Sequence, residues 1–128
     1  MLDQHVWSTL NVARAAVPGM VERGWGRVIA VTASTAVTTP PNIGAYSVAK
    51  AAEETLLRTL GREVAGAGVT VNVLAVRKID TDHERKRAPS PKNAAWTTPE
   101  ELASAMLYLC SDEAAAITGA RIAMDGRS

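Results

Sequence analysis

The residues best suited to chemistry in this sequence are a tyrosine and a lysine, Tyr46 and Lys50, four positions apart. They stand at the start of a segment whose apolar residues recur every three or four positions, which predicts a helix. Residues four apart on a helix share one face, so the phenol and the ammonium would lie side by side. A neighbouring cation favours the ionised form of a tyrosine, which suits the phenol to general acid or base chemistry. The spacing therefore predicts a proton-transfer pair.

A tyrosine and a lysine at this spacing are by themselves more often an aromatic residue at a helix start and a solvated lysine. Here the pair follows a strand-like segment, residues 27–32, and a loop rich in serine and threonine. This order of elements favours the chemical interpretation of Tyr46 and Lys50.

The segments around the pair have the pattern of a parallel α/β unit. Residues 27–32 and 69–76 are short β-branched runs preceded by glycine, which predicts buried parallel strands. Between them, residues 45–65 form the predicted helix, and the glycines of residues 66–68 indicate its end. A strand, a helix and a strand at this spacing predict a right-handed βαβ unit.

The segment before this unit predicts another helix. Residues 3–22 carry apolar side chains at spacings of three and four, and Gly24 follows as a helix terminator. Pro18 lies inside this segment and has no backbone N–H, so we expect a kink or an end near Val17.

The last third of the chain predicts a loop, a helix and a strand. Residues 77–96 are rich in charge and proline, which is typical of a long surface loop or lid. Residues 98–101 form a capping box with proline at the first helical position, which predicts a helix to about Ser111. Residues 120–124 form the last short strand.

Composition restricts the class of protein. The chain has 128 residues, 47% of them hydrophobic, and a net charge of +1, which indicates one globular domain and argues against nucleic acid or anionic membrane as a partner. Cys110 is the single cysteine, which fits a reducing, cytoplasmic setting, and we expect it to be a small buried apolar residue. No apolar stretch is long enough to span a membrane. His5 and His83 are far apart, and no metal-ligand set is apparent.

Four segments in one order carry a family resemblance: residues 26–31, the serine- and threonine-rich loop, residues 45–52 and residues 68–73. Together they resemble the second half of a short-chain dehydrogenase/reductase, and the resemblance extends over nearly the whole chain. It implies a Rossmann-type, three-layer α/β fragment, with a parallel sheet and helices on both faces. It also implies hydride transfer between an alcohol and a carbonyl substrate, with NAD or NADP as the cofactor.

The resemblance also implies roles for individual residues. Tyr46 is placed as the general acid/base, and Lys50 as the residue that tunes it and binds the nicotinamide ribose. The family's substrate-aligning serine, usually thirteen residues before the tyrosine, falls on Ala33. Ser34 or Thr32 would supply the hydroxyl only if the loop shifts by one residue, and otherwise no hydroxyl fills this role. Ile79 and Thr81 match positions that contact the cofactor.

Three further features depart from the family pattern. The family's helix-bending asparagine, part of a proton relay, falls on His5, which is either another proton relay or a substituted surface residue. Val76 and Arg77 stand where the family has proline and glycine. No glycine-rich turn for a pyrophosphate occurs, so we expect a single catalytic half that lacks the nucleotide-binding half. Without that half, strand 27–32 would be an uncovered sheet edge.

These departures support an alternative of a different class. The chain would then be a catalytically inactive, truncated relative that acts only as an oligomerising or interaction module. The family forms tetramers through helices equivalent to residues 3–22 and 45–65, so the resemblance implies a homo-oligomer. Small or apolar residues that could face such a partner are Ala13, Ala16, Ala51 and Leu57.

Overall fold

The computed structural model describes residues 3–127, which contain one parallel sheet of three strands in the order β1-β2-β3. The strands are β1 (Gly26–Ala33), β2 (Val69–Val76) and β3 (Arg121–Ala123). Both pairings are parallel, and β1 and β2 are in register along their whole length, from Gly26 opposite Val69 to Ala33 opposite Val76. The three strands predicted from the sequence are confirmed.

Residues 3–127 contain five α-helices. They are α1 (Ser8–Arg23), α2 (Thr35–Thr38), α3 (Gly44–Glu63), α4 (Glu84–Arg87) and α5 (Pro99–Cys110). A π-helical turn, Asp3–Trp7, precedes α1, and 3-10 turns follow α3 (Ala65–Ala67) and α5 (Asp112–Ala114). The structure confirms the predicted helices 45–65 and 98–111 to within two residues at each end, and it adds α2 and α4 within the two predicted loops.

The two faces of the sheet bury different sets of side chains, because successive residues of a strand point to opposite faces. On one face, Val69, Val71 and Val73 of β2 pack with Leu57 of α3. On the other face, a second cluster joins β2 to α5 and to the turn after it: Leu74, Val76, Leu102, Leu109 and Ala114. The sheet therefore has helices on both faces, which is the three-layer Rossmann-type arrangement that the sequence predicted.

The middle strand and the first strand differ in burial. Every residue of β2 is buried, whereas most of β1 is only half-buried. Within residues 3–127, β1 pairs along one edge alone, because its only sheet neighbour is β2. The expected uncovered edge at residues 27–32 is confirmed.

We expected a kink or an end of the helix near Val17, and the second of these is wrong, because α1 continues through Pro18 to Arg23. A proline removes one intrahelical hydrogen bond, and the buried side chain of Val17 holds this part of the helix in the fold. The helix ends at Gly24 as predicted, with φ 74° and a backbone N–H that donates to the carbonyls of Met20 and Val21.

Residues 77–96 are only partly a surface loop. Asp80 is buried, and its carboxylate accepts backbone N–H groups of Glu84 and Arg85 at 2.8 and 3.1 Å, which begins α4. At the end of the segment, Asn93 and Trp96 are also buried. The predicted lid is therefore anchored to the body of the protein at both ends.

Two side chains predicted from helical patterns lie on other faces than expected. Cys110 is exposed, not buried, because Leu109 is the residue of the last turn of α5 that faces the core. Leu57 is 1% exposed and packs against β2, so it does not face a partner. Ala13, Ala16 and Ala51 are half-buried.

The capping box at α5 is confirmed, and it extends into an ion pair. The Thr98 hydroxyl accepts the Glu101 N–H, and Glu101 in turn accepts the Thr98 N–H at 2.9 Å. The guanidinium of Arg127 bonds the same carboxylate at 2.7 Å, and His83 pairs with Glu100 at 2.9 Å.

No helix among residues 3–127 has the length and apolar character needed to cross a membrane.

We predict that Gly68→Ala destabilises the fold, whereas Gly66→Ala does not. Gly68 has φ +78°, and an added Cβ would collide with the carbonyl oxygen of Gly24. A side chain at Gly66 would meet nothing within 4 Å. We expect Gly68→Ala to lower the free energy of unfolding by about 2 kcal/mol, measured by urea denaturation beside Gly66→Ala. Equal stabilities of the two variants would contradict this explanation.

We predict that Glu101→Gln is less stable than wild type at neutral pH and that this difference becomes smaller in acid. The hydrogen bond from Arg127, with that from the Thr98 backbone, lowers the pKa of Glu101 from its ordinary 4.5 to about 2. A lowered pKa contributes stability above pH 4.5, and that stability is lost as the pH falls toward 2. The side chain is 36% exposed, so we expect about 1 kcal/mol after solvent screening.

Urea midpoints at pH 7 and at pH 2.5 measure this effect. The difference between wild type and Glu101→Gln should be largest at pH 7 and clearly smaller at pH 2.5, which lies between the ordinary pKa of 4.5 and the folded pKa of about 2. The exposed Glu113→Gln is the control, and its difference from wild type should stay small at both pH values. A Glu101→Gln difference that does not shrink in acid would refute the assignment.

Candidate functional site

Three chain segments meet at the carboxyl edge of the sheet: the ends of β1 and β2 and the start of α3. The chain leaves β1 at this edge and returns to β2 from the opposite edge, so α3 begins here. The Ser34 N–H donates to the Val76 carbonyl at 2.9 Å and joins the two strand ends. In open parallel α/β sheets, ligands bind at this edge.

Tyr46 and Lys50 both lie in the first two turns of α3, as their spacing predicted. The tyrosine is half-buried. The lysine side chain is only 12% exposed, so its ammonium is held largely out of solvent. The phenol and the ammonium are therefore on one helix face at the edge of the sheet where a ligand would bind.

His5 lies against the tyrosine ring. The two ring centroids are 5.7 Å apart and the planes are perpendicular. The turn that carries His5 packs on α3, so this residue is at the site and not on a remote surface. Its role as a proton relay stays a prediction.

Glu53 is a site residue that the sequence analysis missed. It is 6% exposed, and its Oε2 lies 3.4 Å from the Lys50 Nζ. Its Oε1 accepts a hydrogen bond from the Thr9 hydroxyl of α1 at 3.2 Å. An acidic residue between Ala49 and Leu57, on the buried stripe of the helix, was the signal that could have identified it.

Glu54, the next residue, was also missed and faces a different partner. It is 5% exposed and accepts from Arg121 Nε of β3 at 2.9 Å. The same guanidinium donates to the Ala33 carbonyl at 3.4 Å. This buried ion pair connects α3, β3 and the end of β1.

Thr32 and Ser34 both remain candidates for the hydroxyl that would align a substrate. Thr32 is buried, and its Oγ1 has no hydrogen-bond partner. Ser34 is half-buried and directly precedes α2, and its carbonyl accepts the N–H groups of Val37 and Thr38. Both residues lie at the end of β1, next to the strand position of Ala33.

The residues after β2 are held by a strand-like contact. Ile79 forms an isolated parallel bridge with Thr97 and packs against the core on the α5 side. Thr81 is exposed, and its N–H donates to the Ile79 carbonyl at 3.0 Å. Arg77 is exposed directly after the strand. The predicted contacts of Ile79 and Thr81 with a cofactor stay predictions.

The polar groups at this edge fit one end of a nicotinamide cofactor. A lysine ammonium has three donors, and the ion pair with Glu53 leaves two of them for ribose hydroxyls. Three buried hydroxyls around the start of α3 also lack partners: Thr32, Thr35 and Ser47. The sequence offers no glycine-rich turn for the pyrophosphate. No group of three or more potential metal ligands comes together in the described part of the chain.

Comparison with known proteins gives one family and several relatives. Residues 1–126 match the family model described as enoyl-(acyl carrier protein) reductase. D-beta-hydroxybutyrate dehydrogenase of Rhizobium meliloti (strain 1021) is 33% identical over 93% of this chain and 54% of its own length. Dehydrogenase/reductase SDR family member 4 of Bos taurus is 33% identical over 100% of this chain and 50% of its own length.

A solved structure agrees with these relatives. The 3-oxoacyl (acyl-carrier-protein) reductase from Agrobacterium tumefaciens C58, with NADP bound, superposes with a TM-score of 0.79 at 30% identity. The superposition covers 93% of this chain and 51% of that one. The chain spans about half the length of the curated relatives it matches.

Proposed function

Because the chain belongs to the short-chain dehydrogenase/reductase family, we propose that it carries the catalytic half of a nicotinamide-dependent oxidoreductase. The reaction is the interconversion of an alcohol and a carbonyl by hydride transfer. The observation that carries this proposal is the placement of Tyr46 and Lys50 on α3, beside the joined ends of β1 and β2. The alternative of an inactive interaction module is not favoured by any contact at this edge.

Tyr46 is the proton donor and acceptor of the proposed reaction. In reduction, the phenol gives its proton to the carbonyl oxygen, and in oxidation the phenolate takes the proton from the alcohol. A bound nicotinamide supplies or accepts the hydride at the substrate carbon. One hydride and one proton therefore convert the carbonyl to the alcohol, and the phenolate that remains regains its proton from solvent.

Lys50 supports both the proton transfer and the cofactor. Its ammonium lies one helical turn from Tyr46 and stabilises the negative charge of the phenolate. The two N–H donors that Glu53 does not use would bind the hydroxyls of the nicotinamide ribose. Ser34, or Thr32 in its place, donates to the substrate oxygen and orients it toward the phenol.

The proposed cofactor is NAD or NADP, which would be held at the nicotinamide end by Tyr46, Lys50 and the segment that contains Ile79 and Thr81. A relative solved with NADP bound supports this choice of cofactor class. The adenosine end would need residues that this sequence does not contain. We therefore assign residues 1–128 as a single domain that corresponds to the catalytic half of the fold.

The substrate is a small alcohol or carbonyl compound. The curated relative from Rhizobium meliloti is described as a D-beta-hydroxybutyrate dehydrogenase, which makes acetoacetate a suitable first substrate to test. No nucleic acid or membrane takes part in the proposed reaction.

A second copy of the chain is the proposed assembly partner. The outer surface between α1 and α3 is apolar, with Leu10, Ala51 and Leu56 in a shallow cleft. Trp7 and Val48 border the cleft and are 52% and 64% exposed. Burial of this surface in a homo-oligomer would remove these side chains from water.

Cytoplasmic localisation stays a prediction from the sequence.

We predict that Tyr46→Phe lowers the turnover of acetoacetate, or of the best substrate in a panel of small ketones, by at least about 100-fold. The substitution removes the proton donor and keeps the aromatic ring that contacts His5. The measurement is the oxidation of NADH or NADPH, followed by absorbance.

The matched control is Tyr108→Phe, because Tyr108 is the other of the two tyrosines in the chain and is 52% exposed on α5. Its turnover should equal that of wild type. Equal turnover of Tyr46→Phe and wild type would refute the assignment of the proton donor. A folded wild-type chain without turnover on the whole panel would refute the proposed activity of this chain.

A further inference from the structure

The buried carboxylate of Glu53 is an unusual feature of α3, since a buried charge is costly unless it is paired. Each of its oxygens has a partner. Oε2 lies 3.4 Å from the Lys50 ammonium, and Oε1 accepts from the Thr9 hydroxyl at 3.2 Å. The carboxylate therefore forms a bridge from α1 to Lys50.

The bridge lies on the same helix face as the proposed proton donor. Residues 46, 50 and 53 are four and three positions apart, which aligns their side chains along α3. On the neighbouring segment, Thr9 contacts Glu53, and His5, four positions earlier, contacts the ring of Tyr46. His5 and Thr9 therefore contact the two ends of this row of side chains, at Tyr46 and at Glu53.

A lysine needs such support to bind a ligand in one geometry. Its ammonium is a point charge on a flexible four-carbon stem. The Lys50 side chain is 12% exposed, and Glu53 is the acidic group that pairs with it among residues 3–127. Thr9 restrains the Glu53 carboxylate in turn.

We propose that Glu53 is a positioning residue, whose carboxylate, anchored by Thr9, holds the Lys50 ammonium beside Tyr46 and directs its free N–H donors to the ligand. The identity of the ligand, a nicotinamide ribose, rests on the proposed function. The restraint on Lys50 is a property of the chain itself and is tested without turnover.

Glu54 provides a matched control for this proposal. It is on the same helix and equally buried, but its partner is Arg121 at 2.9 Å and not Lys50. Glu54→Gln therefore introduces the same substitution and removes the same charge at the adjacent position. A general loosening of α3 would appear in both variants, whereas a specific restraint on Lys50 would appear in one.

The experiment is pulse acetylation of the folded chain by acetic anhydride at a fixed pH, with the modified lysines quantified by mass spectrometry. Removal of the Glu53 carboxylate releases the Lys50 side chain from its ion pair, so the amine is free to reach the reagent. We expect Lys50 to react about tenfold faster in Glu53→Gln than in wild type, as for one lost charge-assisted hydrogen bond. Glu54→Gln should leave the rate unchanged, and the exposed Lys92 is the internal reference.

Thr9→Val tests the same bridge from its other end and keeps both charges. We expect about a twofold to threefold faster reaction of Lys50 in this variant, since the Glu53 carboxylate loses its anchor on α1 but keeps its pairing with Lys50. It also keeps the proposal testable if Glu53→Gln does not fold. An unchanged rate in both Glu53→Gln and Thr9→Val, or an equal increase in Glu54→Gln, would overturn the proposal.

Turnover adds a second readout that separates this proposal from the proposed function. In an active chain, Glu53→Gln should raise the KM for NADH about tenfold, with a smaller change in kcat than in Tyr46→Phe. An active chain whose KM and Lys50 reactivity are both unchanged in Glu53→Gln loses the proposal but keeps the function. An inactive chain with the expected Lys50 reactivity keeps the proposal but loses the function.

Discussion

The burial of β2 is the constraint on which the rest of the structure depends. Each of its residues is buried, because α3 covers one face and α5 the other, while β1 and β3 pair with its two edges. A strand in this position needs apolar side chains on both faces, and β2 supplies valines on the α3 face and Leu74 with Val76 on the α5 face. Helix α3 is thereby fixed antiparallel to the strands, and its first turns come to the carboxyl edge.

Charged groups on the inner side of α3 make this packing specific. Glu53 and Glu54 are both buried, and each binds a different cation, Lys50 on the same helix and Arg121 on β3. A buried carboxylate that loses its partner is strongly destabilising. A rotation of α3 would break the Glu54–Arg121 pair and the hydrogen bond from Thr9 to Glu53, whereas the Glu53–Lys50 pair lies within the helix and moves with it. The helix that carries the proposed proton donor is therefore held in one orientation by polar contacts as well as by apolar packing.

The sequence predicted those features that depend on neighbours along the chain. The bounds of β2 follow from a β-branched run after Gly68, the start of α5 from the Thr98 capping box, and the end of α1 from Gly24. The common location of Tyr46 and Lys50 follows from helical periodicity alone. Each of these predictions uses residues a few positions apart, and each is confirmed.

The features that the sequence did not predict depend on contacts between distant segments. Glu53 bonds Thr9, 44 positions away, and Glu54 bonds Arg121, 67 positions away. The exposure of Cys110 depends on how α5 is rotated on the sheet. The continuation of α1 through Pro18 depends on packing that offsets one lost hydrogen bond. Local sequence patterns carry no information about such contacts between distant segments.

Binding of a cofactor fragment tests the central claim most directly, namely that α3 presents a site for the nicotinamide ribose. Reduced nicotinamide mononucleotide contains this part of the cofactor and lacks the adenosine part. We predict saturable binding to the folded chain, seen as ligand fluorescence and as a higher Tm, with an affinity similar to that of NADH and lost in Lys50→Met. A folded chain that does not bind the mononucleotide, or a Lys50→Met variant that binds it as well as wild type does, would contradict the claim.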